Sequence, residues 1–148
     1  MGISYDAIVG AFLQKITEFQ FVQLPEENRT EIVDGYMKRA VSSFKRICTY
    51  DLTLINETTR EFSDEFEEED VDEIIDIISE GMVVQWLKPY VYKQELLENA
   101  LNTRDFTTYS LAELLRRVGD AYTKAQKDYT QMVREYSYNH GDLTVLHL

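Results

Sequence analysis

The sequence predicts an all-α protein, formed by a single domain of four to five helices with a long C-terminal helix. Apolar residues recur at three-to-four spacing along most of the chain, which is the period of amphipathic helices. Residues that start or stop helices stand at the ends of these stretches, with Pro25 and Ser110 before two of them and Gly141 after the last. The 148 residues suit one domain with one core. We expect a helical domain over residues 1–138 and an extended C-terminal arm over residues 139–148.

The first two helices each carry one apolar stripe. The first is predicted from Ser4, which can cap its N-terminus, to about Phe19. The second is predicted from Pro25 to about Cys48, because proline is favoured in the first turn of a helix. The residues expected to be buried are Tyr5, Ile8, Val9, Phe12, Leu13, Ile16 and Phe19 in the first helix, and Val33, Met37, Ala40, Val41, Phe44, Ile47 and Cys48 in the second.

The helical period is lost between residues 50 and 66. This stretch indicates a short irregular or β segment, with Leu52 and Leu54 on one face. We therefore predict a small β element inside the helical domain.

A third helix is predicted from about Asp70, because Asp70 and Glu73 have the spacing of a capping box. Pro89 has no backbone N–H to donate, so this helix should kink or end near Lys88. Apolar residues on nearly every side make it the most enclosed helix of the predicted domain. The expected buried face is Ile74, Ile75, Ile78, Met82 and Trp86.

After a short helix predicted over residues 93–101, Ser110 and Glu113 form a capping box that opens a helix to about Tyr138. Roughly 28 residues at about 1.5 Å each span about 42 Å, which is more than a domain of this size needs. Part of this helix is therefore expected to contact another molecule.

A tyrosine stripe on the last helix has two interpretations. Tyr122, Tyr129 and Tyr136 recur every seven residues, which fits core packing but also a subunit interface, because tyrosine combines a large contact area with a polar tip. Arg116 and Arg117 lie on the same helix, whose partner would be the acidic region of a neighbouring copy. We assign these five residues to a predicted subunit interface.

The charge balance argues against an ordinary nucleic-acid-binding protein. The formal net charge is −12, whereas a protein that neutralises phosphates needs a basic face. The carboxylates form either a solvated loop and helix start or a surface that mimics or repels DNA, and their spacing does not match a calcium-binding loop. The predicted acidic surface consists of Asp64, Glu65, Glu67, Glu68, Glu69 and Asp70, continued by Asp72, Glu73 and Asp76.

Catalytic, cofactor and metal sites are not expected. His140 and His147, with Asp142 and Cys48 as conceivable further ligands, lack the spacing of a zinc motif. Cys48 lies on an apolar stripe, where packing explains it better than nucleophilic chemistry. The single cysteine and the absence of a signal-peptide pattern indicate a reduced, intracellular setting, and no apolar run is long enough for a membrane span.

The last residues have the alternating pattern of a strand. Gly141 can stop the preceding helix, and the six residues after Asp142 put alternate side chains on opposite faces. Such a strand either pairs within its own domain or is donated to the sheet edge of a partner. The predicted binding arm is Leu143, Thr144, Val145, Leu146, His147 and Leu148.

Several segments together resemble the head–tail connector, or adaptor, proteins of tailed bacteriophages that infect Gram-positive bacteria. These segments are GMVVQWLKPYVY (81–92), ELLENALNTRDFTTYSLAELLRRV (95–118) and REYSYNHGDL (134–143), together with IVGAFLQKITEFQF (8–21) and CTYDL (48–52). The resemblance covers most of the chain and involves no catalytic signature.

The resemblance implies a non-enzymatic virion protein, made in the host bacterial cytoplasm and located at the head–tail interface. Such proteins form rings, commonly of about a dozen copies, beneath the portal protein. They extend the channel for double-stranded DNA and carry a further neck or tail protein. In connectors of this kind a C-terminal arm can engage the portal, which corresponds here to residues 143–148. A channel protein should not bind its DNA cargo, and the acidic charge suits that.

The main alternative is an acidic DNA mimic that inhibits a DNA-binding protein or nuclease through the carboxylates of residues 64–76. Such a mimic would bind its basic target as a monomer or dimer, with a steep dependence on salt. A small enzyme is disfavoured because the sequence names no base, nucleophile or metal set.

Overall fold

The structure, a computed structural model, describes residues 2–17, 29–92 and 111–140. This part of the chain contains four helices and a small three-stranded sheet, so the predicted helical fold with a minor β segment is confirmed at that level. The helices are α1 (Tyr5–Lys15), α2 (Arg29–Phe44), α3 (Glu68–Tyr92) and α4 (Leu111–His140), and the strands are β1 (Ile3–Ser4), β2 (Ile55–Asn56) and β3 (Glu61–Phe62).

The first helix begins as the sequence predicts. The Ser4 hydroxyl accepts hydrogen bonds from the backbone N–H groups of Asp6 and Ala7, at 3.0 and 3.4 Å, which satisfies two of the unpaired donors at the helix start. The helix ends at Lys15 rather than near Phe19, and Thr17 follows in a turn closed on the carbonyl of Gln14. Tyr5, Ile8 and Phe12 are buried.

The second helix buries the central part of its predicted stripe, formed by Val33, Met37, Ala40, Val41 and Phe44. It ends at Phe44, and turns continue to Cys48, whose N–H donates to the Phe44 carbonyl. The prediction was wrong for Ile47, which is exposed, because the chain leaves the helical path just before it.

The β segment is a three-stranded antiparallel sheet in the order β1-β3-β2. The hairpin of β2 and β3 lies inside the range predicted for β structure, whereas β1 was not anticipated. Leu52 is buried but Leu54 is 47% exposed, so their predicted shared face is wrong. Leu52 lies in a turn, and the N–H of Leu54 closes that turn by donating to the Asp51 carbonyl just before β2, so strand alternation does not apply to the two residues.

Arg60 joins the hairpin to the first two helices. Its backbone has φ 55°, the left-handed region that is uncommon for residues other than glycine. Its guanidinium forms two hydrogen bonds with the Asp34 carboxylate of α2, at 2.5 and 3.0 Å, and lies 5.4 Å from the ring centre of Tyr5 in α1. These tertiary contacts offset the local backbone cost.

The third helix is the central element of the fold, and it packs against each of α1, α2 and α4. Ile74, Ile78, Met82 and Trp86 are buried as predicted, while Ile75 is half-buried. The helix begins at Glu68, so Asp70 lies inside the first turn and is not the N-cap. It also continues through Pro89 to Tyr92, which excludes an end at Lys88.

The fourth helix runs antiparallel to α3. Tyr122 contacts Tyr92 near the end of α3, and His140 contacts Glu73 near its start. The helix begins at Leu111 as predicted and ends at His140, two residues beyond Tyr138. Its 30 residues extend about 45 Å at 1.5 Å per residue, and its N-terminal turns pass the end of α3.

Some predictions lie outside the described residues. They are the burial of Phe19, the start of the second helix at Pro25, the short helix at 93–101, the contacts of Ser110, the weighed ligands Asp142 and His147, and the arm at 143–148. None of the described helices is long and apolar enough to cross a membrane.

Candidate functional site

The start of α3 and the end of α4 meet at a cluster of three side chains. The Nε2 atom of His140 lies 2.8 Å from a carboxylate oxygen of Glu73 and 3.8 Å from one of Asp70. Asp70 and Glu73 are three residues apart in the first turns of α3, so they project from the same face of the helix. All three side chains are partly accessible to solvent. We call this group the His140 cluster.

Two tyrosines hold the His140 cluster in place. The Tyr50 hydroxyl donates a hydrogen bond to the second carboxylate oxygen of Asp70, at 2.5 Å, and this bond, with burial, raises the pKa of Tyr50. The ring of Tyr136 stacks on the imidazole of His140, with ring centres 4.3 Å apart. One carboxylate and the imidazole are therefore oriented by neighbours.

Tyr136 itself belongs to the core. Its ring is fully buried edge-on against Phe44, and its hydroxyl accepts a hydrogen bond from the Thr49 N–H at 3.2 Å and lies 2.7 Å from the Thr49 hydroxyl. Burial raises the pKa of Tyr136 to about 12. Cys48 lies 3.7 Å from this hydroxyl, and burial raises the pKa of its thiol. A thiol protonated at neutral pH suits packing and not nucleophilic chemistry.

The three tyrosines of the stripe predicted as a subunit interface differ in how deeply they are buried. Tyr122 and Tyr136 are buried in the core of their own chain, which supports the packing interpretation for these two residues. Tyr129 is half-buried beside Gly81, with its hydroxyl near Ser43. The stripe thus mainly attaches α4 to the domain.

Arg116 and Arg117 are exposed on the N-terminal part of α4, beyond the contact of Tyr92 with Tyr122. They therefore lie at the opposite end of the α3–α4 pair from the His140 cluster. Their assignment to a subunit interface stays a prediction.

A wide groove of about 800 Å³ runs beside α4, between that helix and parts of α2 and α3. Lys127 and Arg134 line it from α4, while Ser43 and Val84 line it from the other two helices. None of the described residues that line the groove is an Asp or a Glu. We call this surface the basic groove, and its chemistry suits an acidic or polar chain segment.

The predicted acidic surface is accessible only in part. Glu65, Glu67, Glu68 and Glu69 are exposed. Asp72 is exposed as well. Two other carboxylates of the run bind within the chain: Asp64 accepts from the Asp51 N–H, and Asp76 forms a 2.6 Å ion pair with Lys15. Asp70 and Glu73 belong to the His140 cluster.

The charges of α3 and α4 differ strongly. In α3, seven Asp and Glu residues stand against one Lys, whereas α4 has five Lys and Arg residues against four Asp and Glu. The domain therefore presents a strongly acidic helix start and, on a different helix, a groove with two cations.

Sequence reasoning missed the His140 cluster. It considered His140 together with its neighbours in the sequence and with Cys48, while the actual neighbours are 67 and 70 residues away along the chain. The only available signal was the i, i+3 pair of acids at the start of a helix, which we interpreted as a cap.

Comparisons of the chain with protein-family models, with curated proteins and with solved structures give no match.

Proposed function

We propose that this protein is a structural subunit of a phage head–tail connector, a ring that lies under the portal protein, extends the DNA channel and joins the head to the neck or tail. The proposal rests on the resemblance of segments 8–21, 48–52, 81–92, 95–118 and 134–143 to such adaptor proteins. It assigns no catalytic role.

One structural observation carries the proposal furthest: the exposed acids at 65–69 and the basic groove are two different, complementary surfaces on one chain. A ring requires a heterologous contact, in which one surface of each copy binds a different surface of the next. Opposite charges on these surfaces favour the correct register and speed the encounter of the copies. In this proposal, the glutamates of one copy face Lys127 and Arg134 of its neighbour.

The net charge of −12 suits a DNA conduit. Each Lys or Arg that contacts a phosphate adds affinity and would slow a moving duplex, whereas carboxylates repel it. Double-stranded DNA is thus a cargo that does not adhere to the channel.

The arm at residues 143–148 is proposed to bind the portal by strand addition, in which backbone hydrogen bonds supply affinity. His140 ends α4 two residues before Asp142, so the His140 cluster fixes the point from which the arm leaves the domain. A further neck or tail protein would bind the opposite side of the ring.

The test is a binding experiment with the phage portal protein that is the proposed partner. Three forms are compared by pull-down and native mass spectrometry: the full chain, a chain ending at Asp142, and a full-length chain with Leu143, Val145 and Leu146 replaced by serine. The proposal expects several copies of the full chain per portal ring, with binding lost in both variants. The serine variant separates the apolar content of the arm from its length. Absence of portal binding by the full chain would contradict the proposed connector function.

The exposed glutamates at 65–69 also favour a second candidate, an acidic DNA mimic. The internal binding of Asp64, Asp70, Glu73 and Asp76 reduces the charge available for mimicry. A mimic would bind a basic target as a monomer or dimer, with an affinity that falls steeply with salt and does not depend on the arm. The variant ending at Asp142 therefore separates the two functions.

A further inference from the structure

The His140 cluster has the geometry of a metal site. One ligand atom from each of Asp70, Glu73 and His140 lies within 4.8 Å of the others. In a tetrahedral zinc site with ligand distances of about 2.0–2.1 Å, neighbouring ligand atoms are about 3.3 Å apart. The observed separations of 2.8 and 3.8 Å from the His140 nitrogen bracket that value. Shifts of about half an ångström would bring each carboxylate oxygen to that separation from the His140 nitrogen, and the two carboxylate oxygens already lie within 4.8 Å of each other.

The ligand set selects the class of ion. One imidazole nitrogen and two carboxylate oxygens suit a divalent first-row transition metal such as Zn²⁺. Mg²⁺ and Ca²⁺ prefer oxygen ligands alone, so the imidazole disfavours them. Three protein ligands leave at least one position for water, and the partial exposure of all three side chains gives solvent access to that position.

The surroundings match those of coordinated side chains. Ligands in metal sites are commonly oriented by a second layer of hydrogen bonds and packing. Here the Tyr50 hydroxyl holds one oxygen of Asp70, which leaves the other oxygen facing His140, and the Tyr136 ring fixes the plane of the imidazole. The start of α3 and the end of α4 thus present three preoriented ligands from two separate helices.

We propose that Asp70, Glu73 and His140 bind one Zn²⁺ or a similar transition-metal ion, which clasps the end of α4 to the start of α3. This proposal departs from the sequence-based expectation that the chain has no metal site. Because His140 is the last residue of α4, the bound ion fixes the helix end from which residues 141–148 continue. The proposal does not depend on the connector function, since it concerns the assembly of a single chain.

The test is isothermal titration of the full, tag-free chain with ZnCl₂, and with MgCl₂ in a parallel experiment. We expect one Zn²⁺ per chain and at least tenfold weaker binding of Mg²⁺. His140→Ala should lower the Zn²⁺ affinity at least tenfold, while His147→Ala, a change in the other histidine of the sequence, should leave it unchanged. Tyr50→Phe keeps the three ligands and should lower the affinity about 10–100-fold, the range found for second-layer changes.

A second readout separates metal binding from folding. Zn²⁺ should raise the thermal unfolding midpoint of the wild-type chain and of His147→Ala, but not that of Glu73→Gln, a variant of nearly unchanged side-chain size. Circular dichroism of each variant without metal confirms that it is folded. Three results would each overturn the proposal: no Zn²⁺ binding to the wild type, equal affinity in the wild type and His140→Ala, or loss of binding in His147→Ala. The second of these would indicate diffuse binding along the acidic run.

Discussion

Gly81 marks a close approach of α3 to two of its three neighbouring helices, α2 and α4. A Cβ atom at this position would lie 2.9 Å from the Ala40 side chain of α2 and 2.9 Å from the Tyr129 ring of α4. These distances are shorter than any normal carbon contact, so a larger residue would displace one of the two helices. The glycine is therefore required by packing, although it is unfavourable within a helix.

Gly81→Ala should destabilise the protein by about 1–3 kcal/mol, because overpacking outweighs the gain in helix propensity. Gly35→Ala is the matched control in α2, since a Cβ there meets nothing within 4 Å. It should stabilise the protein by up to about 1 kcal/mol. Urea unfolding of both variants measures whether each substitution lowers or raises the free energy of unfolding. A stabilising Gly81→Ala would mean that α4 does not lie this close to α3.

Tyr136→Phe should lower the free energy of unfolding by about 1 kcal/mol at neutral pH. The loss is modest because the exposed Thr49 can turn to water. Tyr138→Phe, at a side chain that is 70% exposed, should change the stability very little.

The pH dependence of Tyr136 follows from its raised pKa. In the unfolded chain the hydroxyl loses its proton at the ordinary pKa of 10.0, but in the folded chain at about 12. The stabilisation that the Tyr136 hydroxyl contributes to the folded state is fully present below pH 10. It decreases as the pH rises from about 10 to about 12, because only the unfolded state releases a proton in this range. Urea unfolding between pH 8 and 11 should thus show the wild type and Tyr136→Phe converging above pH 10. Parallel pH profiles would contradict this assignment.

At the scale of elements, Lys15 connects the end of α1 to α3. Its ammonium lies 2.6 Å from the Asp76 carboxylate and 3.0 Å from that of Glu80. Burial lowers the pKa of Lys15, but the hydrogen bonds that its ammonium donates to the two carboxylates, together with their negative charges, exceed that effect and raise the pKa. Asp76 is 54% exposed and Glu80 only 13%, so water screens the pair with Asp76 more strongly, although its distance is shorter.

Lys15→Ala should therefore cost about 1–2 kcal/mol, mainly because it leaves the largely buried Glu80 carboxylate without its cation. Double-mutant cycles measure the two pairs separately. The coupling of Lys15 with Glu80→Gln should exceed its coupling with Asp76→Asn, which we expect to be below about 0.5 kcal/mol. Lys38→Ala, on the exposed side of α2, provides the control for losing a surface cation. Equal couplings would show that exposure does not determine the strength of these pairs.

At the scale of the whole molecule, the proposed ring contact depends on charge. Lys127→Glu combined with Arg134→Glu should abolish self-association on the portal, because the groove would then repel the glutamates of the next copy. Lys38→Glu combined with Arg39→Glu makes the same charge change on the exposed face of α2 and should have no effect. Native mass spectrometry of the portal complexes counts the bound copies.

Charge exchange gives the decisive control for this contact. A chain with Glu68→Lys and Glu69→Lys should also fail to self-associate on the portal when it is the only form present. Mixing it with the Lys127→Glu, Arg134→Glu chain should restore association, with the two forms alternating around the ring. Failure of the mixture to assemble would remove these two surfaces from the proposed interface. If single copies still bind the portal, the contact between copies is absent, and the role of the arm in portal binding is tested by the arm variants described above.

The sequence by itself determined the helical class, the boundaries set by local chemistry and most of the core. The Ser4 cap depends on contacts within a few residues, and the start of α4 at Leu111 and the buried stripe of α2 follow residue spacing, so all three can be read from the sequence. The expectations failed where a helix stopped before its stripe did, as at Ile47, or where a turn replaced a strand, as at Leu54.

Only the tertiary structure decided which charged and polar groups meet. Glu73 and His140 are 67 residues apart, Lys15 and Glu80 are 65 apart, and Thr49 and Tyr136 are 87 apart. No periodicity connects such pairs, because their distance depends on how α1, α2 and α4 pack on one another and on α3, and on how closely Gly81 lets α2 and α4 approach α3. Periodic patterns specify which face of a helix is buried, but the register between two buried faces depends on side-chain volumes along the whole contact.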